Sequence, residues 1–282
     1  MSKLEKAMER AKQARGTVAS PANTPIPSPV KGRRSGPIDP VYTQTRVYPT
    51  DEALLEKHGV LTPAFNSIIV EQYNLLRARV LEAMTRNGYN SILVASPEPQ
   101  EGKTLTAVNL AISIARESNR TVLLIDTDMR QPSVHRYFGL PEGTGLYEHI
   151  TKGTPLSELL INPGLPRLTV LPAGMPTDYP ADLLGGPAMQ ELVSDVKRRY
   201  QGRYIIFDSP PLLAYADGLY LARYADAVLM VARSGSTKED NLRQALESLG
   251  DRPLLGTVLN RVPKGQGPAY SYYSKRYEQV AK

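Results

Sequence analysis

The stretch Ser91–Ala115, SILVASPEPQEGKTLTAVNLAISIA, constrains this chain more than any other. A short apolar run, Ile92 to Ala95, is the right length for a buried strand. It gives way to a loop ending in Gly102-Lys103-Thr104, and a helix-patterned segment starts at once. The order is strand, loop, helix. A helix N-terminus leaves backbone N–H groups unpaired and carries partial positive charge, so it can hold a polyphosphate. The first-turn residues Gly102, Lys103, Thr104 and Leu105 would supply those N–H groups, Lys103 a full charge, and the Thr104 hydroxyl a magnesium ligand.

The rest of the chain supplies the matching architecture. Residues 51–58 and, more strongly, 65–84 read as helices; in the second, Ile69, Tyr73, Leu76, Val80 and Met84 recur at helical spacing. This helix is expected on the edge of a sheet or against a neighbouring subunit. Beyond the phosphate loop come the apolar runs Thr121–Asp126, Leu168–Leu171, Tyr204–Asp208, Ala227–Ala232 and Leu254–Asn260, with helical patterns at 187–200 and 238–249. Continuous apolar strands alternating with helices imply an α/β fold, a mainly parallel sheet with helices on both faces. Ligands in that architecture bind beyond the carboxyl ends of the strands.

Composition bounds what surrounds this body. The net charge of +6 comes from residues 1–36, which hold eight Lys/Arg against Glu5 and Glu9; the remainder is balanced. The basic excess therefore describes a tail, and nucleic acid is not an expected partner. Residues 3–15 form a charged helix with a weak Leu4, Met8, Ala11 stripe, either solvated or docked on a partner or anionic membrane surface. Seven prolines between residues 16 and 50 exclude helix and central strand there. Absence of cysteine fits a reducing compartment, and no apolar run approaches the roughly 18 residues needed to span a bilayer, so a cytoplasmic protein is expected. The expected organisation is a basic helix and Pro-rich linker at 1–50, a phosphate-loop domain at 51–262 and a tail at 263–282. Four tyrosines, Tyr270, Tyr272, Tyr273 and Tyr277, fall in that tail, after Gly265, Gly267 and Pro268.

Three carboxylates lie at strand ends. LLIDTDMR gives Asp126 and Asp128, and YIIFDSPP gives Asp208. Magnesium bound to phosphate oxygens takes few protein ligands, so one or two carboxylates and Thr104 suffice, leaving a third carboxylate to act as a base toward a hydroxyl or water. A nucleotide with magnesium is the expected ligand.

SPEPQEGKT, then VLLIDTDMRQPSVHRYFGL, then YIIFDSPPLLAYADG, followed by a tyrosine-rich C-terminus, resemble the bacterial tyrosine kinases of polysaccharide export. The resemblance covers residues 65–282. It implies a P-loop NTPase fold with a deviant Walker A motif (MinD/ParA-like class), ATP and Mg2+ as cofactors, and tyrosine autokinase activity. By position it implies that Lys103 and Thr104 hold phosphate and magnesium, that Asp126 and Asp208 serve the metal, and that Asp128 is the base nearest the incoming tyrosine. Arg130 would position phosphate or a neighbouring subunit, Asn260 would read adenine, and Tyr270, Tyr272, Tyr273 and Tyr277 would accept phosphate from another subunit. The N-terminal segments resemble the free-standing cytoplasmic form associated with exopolysaccharide or exosortase-linked clusters. Its implied partners are a transmembrane polysaccharide co-polymerase (chain-length determinant) as activator, further copies of the chain in a ring, and a cognate tyrosine phosphatase; they would hold it at the inner face of the plasma membrane.

Two positions depart from that pattern. Gln100 stands where a glycine is usual, and a positive φ there would cost about 1 kcal/mol. The interface motif of one Glu and two Arg appears as Glu71, Asn74 and Arg77, so its central Arg is missing. Two other readings stand beside the kinase: a partition- or division-type ATPase, against which Glu98 replaces the early lysine of such loops, and a weakly nucleotide-binding scaffold of the export complex.

Overall fold

The computed structural model describes residues 45–62, 67–117, 120–199 and 202–263. Among them are the strands β1 (Arg46–Val47), β2 (Ser91–Ala95), β3 (Thr121–Asp126), β4 (Ile161–Asn162), β5 (Leu168–Leu171), β6 (Arg203–Asp208), β7 (Ala227–Arg233) and β8 (Leu254–Asn260). They form one sheet in the order β1-β4-β5-β3-β6-β2-β7-β8, parallel from β5 through β8, with the single β4–β5 pairing antiparallel. The helices are α1 (Glu52–Lys57), α2 (Ser67–Asn87), α3 (Lys103–Ala115), α4 (Val134–Tyr137), α5 (Leu146–Lys152), α6 (Leu156–Leu159), α7 (Pro180–Leu184), α8 (Pro187–Arg199), α9 (Asp217–Leu221) and α10 (Glu239–Ser248). The N-terminal helix expected at 3–15, most of the Pro-rich segment and the four tail tyrosines lie outside the described residues.

Alternate residues of the central strands feed two cores. Ile92, Val94, Leu124 and Ile206 face one side of the sheet, against Val108 and Ile112 of α3. Leu93, Ala95, Leu123, Ile125 and Phe207 face the other, against Leu192 and Val196 of α8. A strand buried on both faces has no polar side to alternate, which is why β2 reads as a continuous apolar run.

Helix α2 packs on α3. Val80 and Met84 join the first core, and Arg77 donates from Nη1 to the Ser113 carbonyl at 2.8 Å. Burying two such apolar side chains contributes about 1.5–3 kcal/mol each. The sheet also begins before residue 51: Arg46 and Val47 pair with Ile161 and Asn162 as an edge strand. Edge pairing is compatible with flanking prolines, and Asp51 then caps α1 by accepting from the Ala53 N–H at 2.9 Å.

Strand order positions the site. β6 is inserted between β2 and β3, and its register places Asp208 beside both Val94 and Asp126. Ser209 Oγ donates to the Val94 carbonyl at 3.0 Å, and the Thr127 N–H donates to the Asp208 carbonyl at 2.9 Å. The three strand ends are thereby fixed to one another directly in front of the phosphate loop.

Candidate active site

Gly102 is the N-cap of α3, at φ 92° with no side-chain cap, so the first-turn N–H groups have no side-chain partner from the cap position. A Cβ at Gly102 would stand 2.0 Å from Asn260 Nδ2, so both the backbone angle and the space require glycine. Gln100 has φ 62°. The expected strain is present: a side-chain-bearing residue occupies the left-handed region inside the phosphate loop.

The loop is stapled from behind by a residue that sequence reasoning missed. Glu101 is buried; its Oε2 accepts from the Glu98 N–H at 3.0 Å, and its Oε1 accepts from the Thr237 hydroxyl. Asn260 Nδ2 donates to the Glu101 carbonyl at 2.9 Å, and Asn260 Oδ1 accepts from the Arg261 N–H. Asn260, expected to read adenine, thus bonds within the protein to the phosphate loop. A glutamate in this loop carries no motif, and its partners Thr237 and Asn260 are more than 130 residues away, so only the fold reveals the staple.

In front of α3 the three carboxylates take different environments. Lys103 Nζ lies 3.3 Å from Asp128 Oδ2. Burial opposes the ammonium, but Asp208, Asp128 and Asp126 outweigh it and hold its pKa above the usual range. Asp126 accepts from the Asp128 N–H on one oxygen and from the Ser133 and Val134 N–H groups on the other. It is completely buried, and desolvation prevails over those bonds to push it up to about 6. Asp208 is also fully buried, and neither carboxylate oxygen has a hydrogen-bond partner. Desolvation, reinforced by Asp126 and Asp128, pushes it to about 7 against the opposing pull of Lys103; the nearby Thr104 hydroxyl favours the ion without making a bond of ordinary geometry.

A buried carboxylate without partners is a costly arrangement that a bound cation relieves. Thr104, Asp126 and Asp208 are therefore a donor set that fits magnesium. Among the described residues no three His, Cys, Asp or Glu side chains are grouped to hold a metal alone. Ser133, whose hydroxyl lies 3.4 Å from that of Thr104, and Tyr137, whose hydroxyl feels the charges of Asp208 and Lys103, are further neighbours that sequence reasoning missed.

Other expected site residues are not brought together. Arg130 points away from the phosphate loop: Nε is 2.7 Å from Asp217 Oδ2, Nη1 donates to the Asp178 carbonyl at 2.9 Å, and the guanidinium lies over the Tyr215 ring at 4.3 Å. Leu105 turns its side chain into the first core, while its backbone stays in the first turn of α3 as expected. Arg77 is bound to Ser113 and lies 3.4 Å from Glu117, while Glu71 accepts from Asn74, so Arg77 is an intramolecular tie between α2 and α3.

Over 212 residues the chain is 34% identical to the tyrosine-protein kinase YwqD of Bacillus subtilis (strain 168), covering 74% of this chain and 88% of that protein. The chain belongs to the bacterial tyrosine-protein kinase family. The kinase domain of Escherichia coli tyrosine kinase ETK superposes with a TM-score of 0.66 at 27% identity, covering 83% of this chain and 94% of that one. The BceF tyrosine kinase domain gives 0.64 at 30% identity, covering 80% and 94%. Residues 90–249 match the family model described as an AAA domain, consistent with the P-loop NTPase fold of this kinase. No described helix is long and apolar enough to cross a membrane.

Proposed function

We propose that the chain binds ATP with magnesium at the N-terminus of α3 and transfers the γ-phosphoryl group to tyrosines of its own C-terminal tail, Tyr270, Tyr272, Tyr273 and Tyr277, in a second copy. The observation that carries this reading is the buried, unpartnered Asp208 between the phosphate loop and Asp126, with Lys103 paired to Asp128 in front of it. First-turn N–H groups of α3 and Lys103 bind the phosphates. Thr104, Asp126 and Asp208 would hold magnesium, which supplies charge neutralisation at the phosphate oxygens. Phosphate draws the Lys103 ammonium from Asp128, and the freed carboxylate accepts the tyrosine hydroxyl proton. The bond from the bridging oxygen to γ-phosphorus breaks as the tyrosine oxygen bonds to that phosphorus, and ADP leaves.

In this reading the activator is a transmembrane polysaccharide co-polymerase that holds the kinase at the membrane, and a tyrosine phosphatase resets the tail. The motif resemblance supports these partners. With Arg77 committed inside the molecule, assembly through α2 would rest on Glu71 and its exposed neighbours. Incubating the full chain with Mg-ATP and mapping phosphate by mass spectrometry tests the chemistry. Tail phosphotyrosine is expected in the parent and absent in Lys103→Ala; ATP hydrolysis with an unmodified tail would overturn the reading.

A further inference from the structure

The loops that follow α4 and β5 are bound to each other and enclose a space that the phosphate chemistry leaves unused. The Leu146 N–H donates to the Pro172 carbonyl and the Tyr147 N–H to the Ala173 carbonyl, each at 2.8 Å. Glu148, 2% exposed, accepts from the Gly145 N–H at 2.7 Å. A Cβ at Gly145 would stand 2.1 Å from the Pro172 carbonyl oxygen, so only glycine permits this approach of the two loops. Between them lies a cavity of about 340 Å³. That is the small end of the range for ligand sites, about 300–1,000 Å³.

Four proline rings and the Met175 thioether give the cavity apolar walls, with no Phe, Tyr or Trp among its lining residues. Three side chains bring polarity: His135 and Arg136 of α4, and Glu142 from the loop that follows. The His135 ring is buried, 7% exposed, and its Nε2 has no hydrogen-bond partner. Burial, and then the adjacent Arg136, hold its pKa below the usual value, so the ring is neutral at pH 7. Glu142 Oε1 stands 3.6 Å from that nitrogen, beyond hydrogen-bonding distance, and the glutamate side chain is 80% exposed. A buried ring nitrogen without a partner is costly, and a ligand that bonds to it removes the cost.

We propose that this cavity is a regulatory site for a small phosphate ester of a sugar or polyol. The Arg136 guanidinium and His135 Nε2 would bind the phosphate, since a guanidinium matches two of its oxygens and the neutral ring can donate a third bond. Glu142 selects for an ester over phosphate alone: its carboxylate repels a second anion but accepts from ligand hydroxyls. Proline rings and the thioether pack on the C–H faces of a sugar, and without an aromatic wall a nucleobase finds no ring to stack on. The site reaches the phosphate loop through α4. The Ser133 and Val134 N–H groups donate to Asp126 Oδ2 at 2.9 and 3.0 Å, and His135 and Arg136 are the next two residues. A ligand held by those two side chains bears on the segment that holds Asp126. Ester and magnesium nucleotide then change each other's affinity by the same factor.

The test titrates glucose 1-phosphate and glucose 6-phosphate into the full chain by calorimetry, with glucose and inorganic phosphate as separate titrants. At least one ester is expected to bind tenfold or more tightly than either part. Arg136→Ala, at an exposed position, and Gly143→Leu, where a Cβ meets nothing within 4 Å and the longer side chain fills the cavity, should each weaken it at least tenfold. Without ester, both variants should bind Mg-ADP as the parent does. Saturating ester should shift Mg-ADP affinity at least threefold in the parent and not in the variants. Lys103→Ala should leave ester binding intact. Ester binding no tighter than that of phosphate, or retained by both variants, overturns the proposal. So does ester binding lost with Lys103, which assigns the ester to the phosphate loop. Cavity-dependent binding that leaves Mg-ADP affinity unmoved upholds the site and overturns its coupling through α4. No readout depends on phosphorylation of the tail, so the kinase reading stands or falls separately.

Discussion

Replacing Asp208 by asparagine should make the nucleotide-free protein more stable while removing a proposed magnesium ligand. Asp208 is fully buried, has no hydrogen-bond partner, and is pushed from 3.8 to about 7, chiefly by desolvation. A shift of that size corresponds to about 4 kcal/mol at 1.36 kcal/mol per unit. The native state keeps this proton at pH values where the unfolded chain has lost it. The penalty is therefore absent below pH 3.8, grows as pH rises, and is nearly complete at about pH 7. Asparagine has nearly the same shape and no charge to desolvate, but its amide meets no better partners, which costs about 1–3 kcal/mol. The net expectation at pH 8 is a gain of about 1–3 kcal/mol, a few degrees in Tm for a domain of this size. Scanning calorimetry with EDTA and no nucleotide, at pH 8 and pH 5, measures it. Between those values the advantage should shrink by about 3 kcal/mol, because most of the parent's penalty disappears. Added Mg-ATP should raise the parent's Tm and leave the variant's almost unmoved. A variant less stable than the parent at pH 8, or an advantage that does not narrow toward pH 5, would refute the account of Asp208 as an uncompensated carboxylate.

Relieving the phosphate loop should also be measurable. Gln100→Gly removes a side chain from φ 62° and is expected to add about 1 kcal/mol in urea denaturation and tighten Mg-ATP binding. Gly102→Ala should do the opposite, because its Cβ would collide with Asn260 Nδ2; isothermal titration should show nucleotide binding lost. Arg130→Ala leaves Asp217, 1% exposed, without its cation; a loss of about 2–3 kcal/mol in denaturant is expected, with partial recovery in Arg130→Lys.

Much of the framework was legible in the chain. β3 and β5 have the bounds their apolar runs suggest, because a strand covered on both faces must be apolar throughout; β8 also keeps its expected bounds, as a half-exposed edge strand. The phosphate loop and its three carboxylates are short-range patterns, so they too could be read without the fold. The two-residue β1 and the short helices α4 to α7 and α9 could not, since each is too brief to show a period and forms only against neighbours already in place.

The sequence by itself determined that a strand, an anion-holding loop and a helix stand together, and that Asp126, Asp128 and Asp208 follow at strand ends. It also flagged Gln100 as a position where a positive φ would be costly. Tertiary structure decided what each group does with its neighbours. Insertion of β6 between β2 and β3 leaves Asp208 without a partner while Asp126 receives three N–H bonds. The same packing sends Arg130 to Asp217 and Arg77 to Ser113, and sets Asn260 above Gly102. Residue type and local spacing fix which groups can bind charge. Which of them are left with charge to bind depends on contacts between segments a hundred residues apart, and those exist only once the strands have taken their order.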